Sequence, residues 1–184
     1  MSKVIIFYAP SASGKTTLEE SILLEFGDKY ERLLSYATRD MRPGEINGKD
    51  NYFINIDEFN SSNFIAQVEI SDKWKYGIKK EDLNIDNKSK FISIINLSYV
   101  KILYNYCISN NINVEIIYLH LSRDERISRM KLRGESEENI LTRIKREDSL
   151  TTKDILHYDM LVLDMQNKSR EDVFNKFKEG EKLC

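Results

Sequence analysis

The chain is poor in the features that would make it a secreted, membrane-spanning or polyanion-coating protein. It has only two cysteines, Cys107 and Cys184, which make neither a disulfide framework nor a cysteine metal site. Cys107 falls in an apolar helical pattern and reads as core. No apolar run approaches the roughly 18 residues a spanning helix needs. A formal net charge of -2 leaves no surplus of one sign, so any basic site must be local. The first strand begins at about residue 3, which leaves no room for a leader peptide. There is no repeat, low-complexity tract or interdomain linker. The expectation is a reduced, soluble, cytoplasmic protein of one domain, with no membrane or nucleic-acid polymer as partner.

What is present is concentrated near the start. Val4-Ile5-Ile6-Phe7-Tyr8 is a short apolar run, as in a buried parallel strand. Leu18, Ile22, Leu23 and Phe26 then recur on one helix face. Between them lies Ala9-Pro10-Ser11-Ala12-Ser13-Gly14-Lys15-Thr16-Thr17. In that setting the spacing G-x-x-x-x-G-K-[ST] describes a phosphate cradle. Backbone N–H groups and the helix dipole meet the anion. Gly14 lets the backbone approach, and Lys15 brings a mobile positive charge to the β- and γ-phosphates. Thr16 offers its hydroxyl to Mg²⁺, whose other ligands are mainly phosphate oxygens and water. Residues Ser11 to Thr17 therefore form the expected ATP-binding loop. Ala9 stands where the pattern has its first glycine, which is acceptable if its φ is negative.

The rest of the chain alternates strands and helices, the pattern of an α/β fold with a parallel sheet covered on both faces. Strands are expected at Leu33–Tyr36, Phe91–Ile95, Val114–Leu119 and Met160–Leu163. Helices are expected over 98–109, after Ser122 with Glu125 at capping-box spacing, over 139–149 and over 169–179, with a frayed tail from Lys178. Residues 37 to 85 read as a small, mostly β insertion. It comprises a loop over Ala37–Asn51, a strand over Tyr52–Ile56, a short helix capped by Asp57, and two strands over Phe64–Ile70 and Lys73–Ile78. The core then comprises about 1–36, 86–131 and 150–184, with a lid over about 132–149.

Two further clusters bear on chemistry. Thr38-Arg39-Asp40-Met41-Arg42-Pro43-Gly44-Glu45 sets two arginines three apart in a loop shaped by proline and glycine. Two guanidinium forks can grip one phosphate from two sides, although such runs are commonly just solvated loop. Residues 123–146 carry eight basic against five acidic side chains. Arg126, Arg129 and Arg133 share one face if the helix runs that far, and Gly134 offers a hinge. The alternatives are a salt-bridged surface helix and a lid that carries arginines to a transferring phosphoryl group.

Together these segments resemble guanylate kinases, from Val4 to about Phe177. The most specific part is Thr38-Arg39-Asp40-Met41-Arg42-Pro43-Gly44-Glu45-Ile46-Asn47-Gly48-Lys49-Asp50-Asn51-Tyr52-Phe53-Ile54. Asp57-Glu58-Phe59, Phe64-Ile65, Tyr76-Gly77 and Arg133-Gly134-Glu135-Ser136-Glu137-Glu138 extend it. The resemblance implies a parallel-sheet core, a mixed-β monophosphate-binding lobe and a helical lid. It implies Mg²⁺-dependent transfer of the ATP γ-phosphate to GMP or dGMP, by a monomer or homodimer. It assigns the acceptor phosphate to Ser35, Arg39, Arg42 and Tyr76, with Glu45 shaping that site. Lys15, Arg39, Arg129, Arg133 and Arg143 take catalytic roles. The family's base-reading and neighbouring positions differ here. Its lobe glutamate is replaced by the run Ala66-Gln67-Val68-Glu69, leaving Glu69 as the nearest acid. Its acidic pair falls on Asn96 and Ser98, and its serine after Tyr-Gly on Ile78. Its lobe tyrosine falls on Asn51, with Tyr52 next, and its adenine-contacting asparagine on Asp164. A same-fold kinase with another phosphorylated acceptor, or a non-catalytic binding module, stand as alternatives.

Overall fold

The computed structural model describes residues 3–42, 44–71, 74–83, 90–94, 97–149 and 158–182. Nine strands and five α-helices are named among them, with two 3₁₀ turns. In chain order they are β1 (Lys3–Tyr8), α1 (Lys15–Phe26), β2 (Tyr30–Arg32), β3 (Tyr36–Ala37), β4 (Tyr52–Phe53), β5 (Phe64–Ser71), β6 (Trp74–Lys79) and β7 (Lys90–Ile94). Then follow α2 (Leu97–Ser109), β8 (Asn113–His120), α3 (Arg123–Leu132), α4 (Glu137–Ser149), β9 (Met160–Asp164) and α5 (Arg170–Lys182). One sheet runs β2-β7-β1-β8-β9, and a second, four-stranded sheet runs β4-β3-β6-β5. The chain forms two compact units: residues 1–6 with 28–114, and residues 7–27 with 115–184.

In the first unit β2 pairs with β7 in parallel, Tyr30 opposite Lys90 and Arg32 opposite Ile92. The expected strand over Leu33–Tyr36 is corrected. Tyr30–Arg32 joins the large sheet and Tyr36–Ala37 joins the small one, so residues 33–35 are the passage between two ladders. The lobe's sheet is mixed: β3 runs parallel to β4 and antiparallel to β6, and β6 is antiparallel to β5. The strand expected over Tyr52–Ile56 stops at Phe53, and the helix expected from Asp57 is instead a 3₁₀ turn over Ile56–Glu58 followed by another over Ser61–Asn63. The turn starts two residues early because Asn55, not Asp57, takes the cap position, its N–H donating to the Glu58 carboxylate at 2.7 Å. Tyr36, Phe59 and Phe64 bury a small aromatic core of the lobe's own. On α2, Val100, Leu103 and Cys107 are all at most 1% exposed, as their spacing predicts.

In the second unit β8 and β9 are parallel, Ile116 opposite Met160 through His120 opposite Asp164. Leu18 and Ile22 bury the inner face of α1, and Val173, Phe174 and Phe177 that of α5. The tail does not fray at Lys178: α5 continues to Lys182. Lys178 lays its ammonium 4.6 Å from the Phe174 ring centroid and 3.5 Å from Glu25, which ties the last turns down. α3 is capped by Ser122, whose hydroxyl accepts the Glu125 N–H, while the Glu125 carboxylate turns to Arg129 instead of completing the box. Gly134, at φ 76°, provides the left-handed residue that ends this helix, with its N–H donating to Lys131 O. Met130 of α3 and Ile140 and Ile144 of α4 form one buried cluster, packed against Ile127 and against Ala12 of the loop before α1.

Candidate nucleotide-binding site

The loop between β1 and α1 has the backbone of an anion cradle. Gly14 sits at φ 94° and Ala12 at φ 63°, so successive N–H groups turn toward one side. A Cβ on Gly14 would stand 3.1 Å from Met165 Cε on top of the left-handed strain, so glycine is required there. Ala9 does not have a positive φ, and an alanine in place of glycine is therefore unstrained. Ser13 is fully buried, and its hydroxyl donates to Pro10 O, closing the loop on itself. Lys15 donates from Nζ to Ala9 O and, at 2.9 Å, to Pro10 O. Thr16 and Thr17 are exposed on the first turn of α1, where the hydroxyl of Thr16 is open to a phosphate-bound cation. These are the donors a phosphate and its Mg²⁺ require. Among the described residues no group of three His, Cys, Asp or Glu could cage a metal.

The electrostatics of this unit are unusual. Burial pulls the Lys15 ammonium down to about 8, with Glu147 opposing that and Arg126 and Arg133 adding to it. Of these, Arg126 belongs to the basic cluster expected of the lid, whereas Glu147 falls in no motif. Arg126 is only 7% exposed, and its Nη1 donates to Glu147 Oε2. Glu147 Oε1 accepts the Ser11 N–H at 2.8 Å. The sequence did hold a signal for both. Arg126 and Met130 lie four apart on α3, and Ile140, Ile144 and Glu147 follow inward spacings on α4. A charge on each inward face implies that the two charges meet. Burial raises the Tyr8 hydroxyl to about 12, with its ring stacked on Tyr118 at 5.4 Å.

The lid arginines separate. Arg133 caps the C-terminus of α3 and is close enough to Lys15 to act on its charge. Arg129 is held by Glu125, and Arg143 lies 3.4 Å from Glu135. Helical hydrogen bonding reaches Arg133, whose N–H donates to Arg129 O, but the three side chains differ in setting: Arg126 is buried, Arg129 is tied to Glu125 of its own helix and Arg133 is the cap.

In the first unit the arginine loop forms a clamp. Arg39 has a side chain only 6% exposed, and its fork donates to both Glu45 oxygens at 2.6 Å. Its Nε–H donates to the Tyr76 hydroxyl at 2.7 Å, and Nη1 also reaches Asp40 O at 2.8 Å. The guanidinium lies 5.2 Å from the Phe53 ring centroid. The bonds from Arg39 hold the Glu45 carboxyl below its ordinary range. Glu45 also accepts the Arg42 N–H at 2.7 Å, which leaves the Arg42 side chain exposed at the loop's surface. Thr38 anchors the loop to β6, its Oγ1 accepting the Lys75 N–H at 2.9 Å.

Other acceptor-side expectations are not gathered. Ser35 contributes its carbonyl to the Tyr52 N–H, and the Tyr52 ring lies 4.8 Å from Tyr36. Glu69, expected beside the acceptor, is opposite Lys75 in the ladder, 3.5 Å from its ammonium, with a 59% exposed side chain. Val68, not Glu69, faces Tyr76 in register, so Glu69 points to the other side of the sheet. The irregularity between Phe64 and Ala66 comes before Glu69 and does not bring it back. Ile78 is fully buried. Tyr99 of α2 meets Tyr76 edge-on at 6.5 Å, with a buried hydroxyl that has no partner among the described residues. Asn96 and Pro43 lie outside the described residues, as does the side chain of Ser98.

A glycine-lysine phosphate loop joining a sheet strand to a helix, in a chain with a mixed β lobe, defines an α/β phosphate-loop fold. The chain belongs to the guanylate kinase family, whose model matches residues 1–180. It is 36% identical to the guanylate kinase of Chlamydia trachomatis serovar D over 86 residues, 45% of this chain and 42% of that protein. The chain thus spans about two fifths of the first relatives it matches. It is 26% identical to the guanylate kinase of Baumannia cicadellinicola over 83% of this chain and 76% of that one. The fold is shared with the crystal structure of guanylate kinase from Anaplasma phagocytophilum, at a TM-score of 0.64 and 19% identity, covering 99% of this chain and 85% of that one.

Proposed function

We propose that this protein is an ATP-dependent nucleoside monophosphate kinase that transfers the γ-phosphate of ATP to GMP or dGMP, with ADP and GDP or dGDP as products. The observation that carries the reading is the phosphate loop itself. Left-handed Gly14 and the Lys15 ammonium are set for a polyphosphate at the N-terminus of a 12-residue helix. Lys15 binds the β- and γ-phosphates, the N–H groups of residues 11–17 cradle them, and Thr16 offers a hydroxyl to Mg²⁺. When bound, Mg²⁺ neutralises charge on the phosphate oxygens. Arg39 and Arg42 hold the acceptor's phosphate, with Tyr76 and Glu45 fixing the Arg39 fork. Arg133 stands ready on the lid segment, and Arg129 and Arg143 join only by leaving their carboxylates. Little covalent work is asked of the protein, so catalysis is positioning and charge stabilisation.

One observation favours a second reading, in which the acceptor carries another base. Guanine presents N–H donors and calls for an acidic reader. On the Tyr76 face of the lobe the register instead sets Val68 and Ile78, while Glu69 turns away. Acceptor competition in a coupled assay decides between them. GMP preferred over AMP, CMP and UMP by well over tenfold supports the first reading; a preference under tenfold, about 1.4 kcal/mol, supports the second.

A further inference from the structure

Glu147 places a carboxylate where a loop built for phosphates offers an N–H. One oxygen takes the Ser11 N–H at 2.8 Å, and the other takes Arg126 Nη1. A phosphate presents the same element, two anionic oxygens on one centre. The surroundings favour an anion. Arg126 and Arg133 each stand near enough to Lys15 to weigh on its charge, and Glu147 offsets them. Arg126 is buried, and its Nε has no partner among the described residues. The placement of Glu147 is fixed by packing, because Ile140 and Ile144 of the same helix sit with Met130 against Ala12 of the loop. The helix that carries Glu147 is therefore held against the loop, and displacement asks only the Glu147 side chain to turn.

We infer that Glu147 is a stand-in for a nucleotide phosphate, and that Arg126 is a phosphate-binding residue which the incoming polyphosphate takes over as it displaces Glu147 from Ser11. This rests on the kinase reading of the same loop and adds to it a displaceable internal anion and a further cationic ligand. The consequence is thermodynamic. Polyphosphate binds the form with Glu147 displaced, so its apparent affinity is reduced by the fraction of molecules in which the loop is free.

The test is equilibrium titration of the full chain with Mg·ATP and, separately, with tripolyphosphate. It uses wild type, Glu147→Gln, Glu147→Asp and the double variant Glu147→Gln with Arg126→Met. Glu147→Asp keeps the charge but shortens the reach to Ser11, so it separates displacement from simple repulsion. Both single variants should bind about tenfold tighter than wild type. The double variant should lose that gain and fall below wild type. The Ser11 amide, followed by NMR, should be shifted and protected from exchange in the free wild type and lose both properties in Glu147→Asp. Equal affinity of Glu147→Asp and wild type, weaker binding by either single variant, or a double variant as tight as Glu147→Gln overturns the inference. If wild type binds neither ATP nor tripolyphosphate, the kinase reading itself fails. If wild type binds both and the variants do not differ, only the role of Glu147 and Arg126 fails.

Discussion

Glu45→Ala removes the carboxylate that organises the arginine loop. Three donors lose their acceptor: both Arg39 Nη groups and the Arg42 N–H. Hydrogen bonds to charged groups contribute roughly 1.5–3 kcal/mol each, and breaking a fully buried ion pair costs roughly 3–5 kcal/mol. The cost here is smaller, because the Glu45 side chain is 18% exposed and Arg39 keeps Tyr76 and Asp40 O as acceptors. A loss of about 2–3 kcal/mol follows. Glu45→Gln retains one acceptor oxygen and should lose about half as much. Urea unfolding at unchanged slope reads this directly. The same variant frees the Arg39 fork, so the acceptor KM should rise at least about tenfold while the ATP KM stays within about twofold. A stability change under about 0.5 kcal/mol, or equal rises in both KM values, would refute the idea that Glu45 positions Arg39.

Four further outcomes are expected. Lys15→Ala should lower kcat by orders of magnitude and leave the unfolding midpoint nearly unchanged, since among the described residues its ammonium bonds to the loop carbonyls of Ala9 and Pro10; an unfolded variant counts against its role. Arg42→Ala should raise the acceptor KM far more than the ATP KM in initial-rate kinetics. With free Lys15 titrating at about 8, kcat/KM for ATP should fall as pH rises through that value. Saturating ATP, which favours the charged ammonium, should carry kcat to higher pH, and coincident pH profiles would contradict this. Phe177→Ala should cost roughly 3–5 kcal/mol in denaturant, because the ring is 1% exposed and packs against Phe7.

Much of the fold was legible because apolar runs and helical spacing are strong local signals. Val4–Tyr8, the Leu18 and Ile22 face, and Val100, Leu103 and Cys107 all fall where periodicity puts them. The lobe was legible in outline but not at its edges. Leu33–Tyr36 reads as strand because Leu33, Leu34 and Tyr36 are apolar, yet residues 33–35 carry the chain from one sheet to the other, and apolarity does not say which ladder a residue joins. The phosphate loop and the Arg39 clamp announced themselves through glycine, lysine and paired arginines. The partners of those groups did not. Glu147 lies 136 residues from Ser11 in the chain, and only the packing of α4 makes that contact. Glu69 stands three positions from the family's lobe glutamate, an odd shift that turns a strand residue to the other face, and its register opposite Lys75 keeps it there.

The central claim is phosphoryl transfer between two bound nucleotides, and product analysis tests it most directly. Purified protein with Mg·ATP and GMP, followed by ³¹P NMR, should yield ADP and GDP in equal amounts, with neither formed when GMP or Mg²⁺ is omitted. No ADP formed with GMP, dGMP or any common nucleoside monophosphate would contradict it.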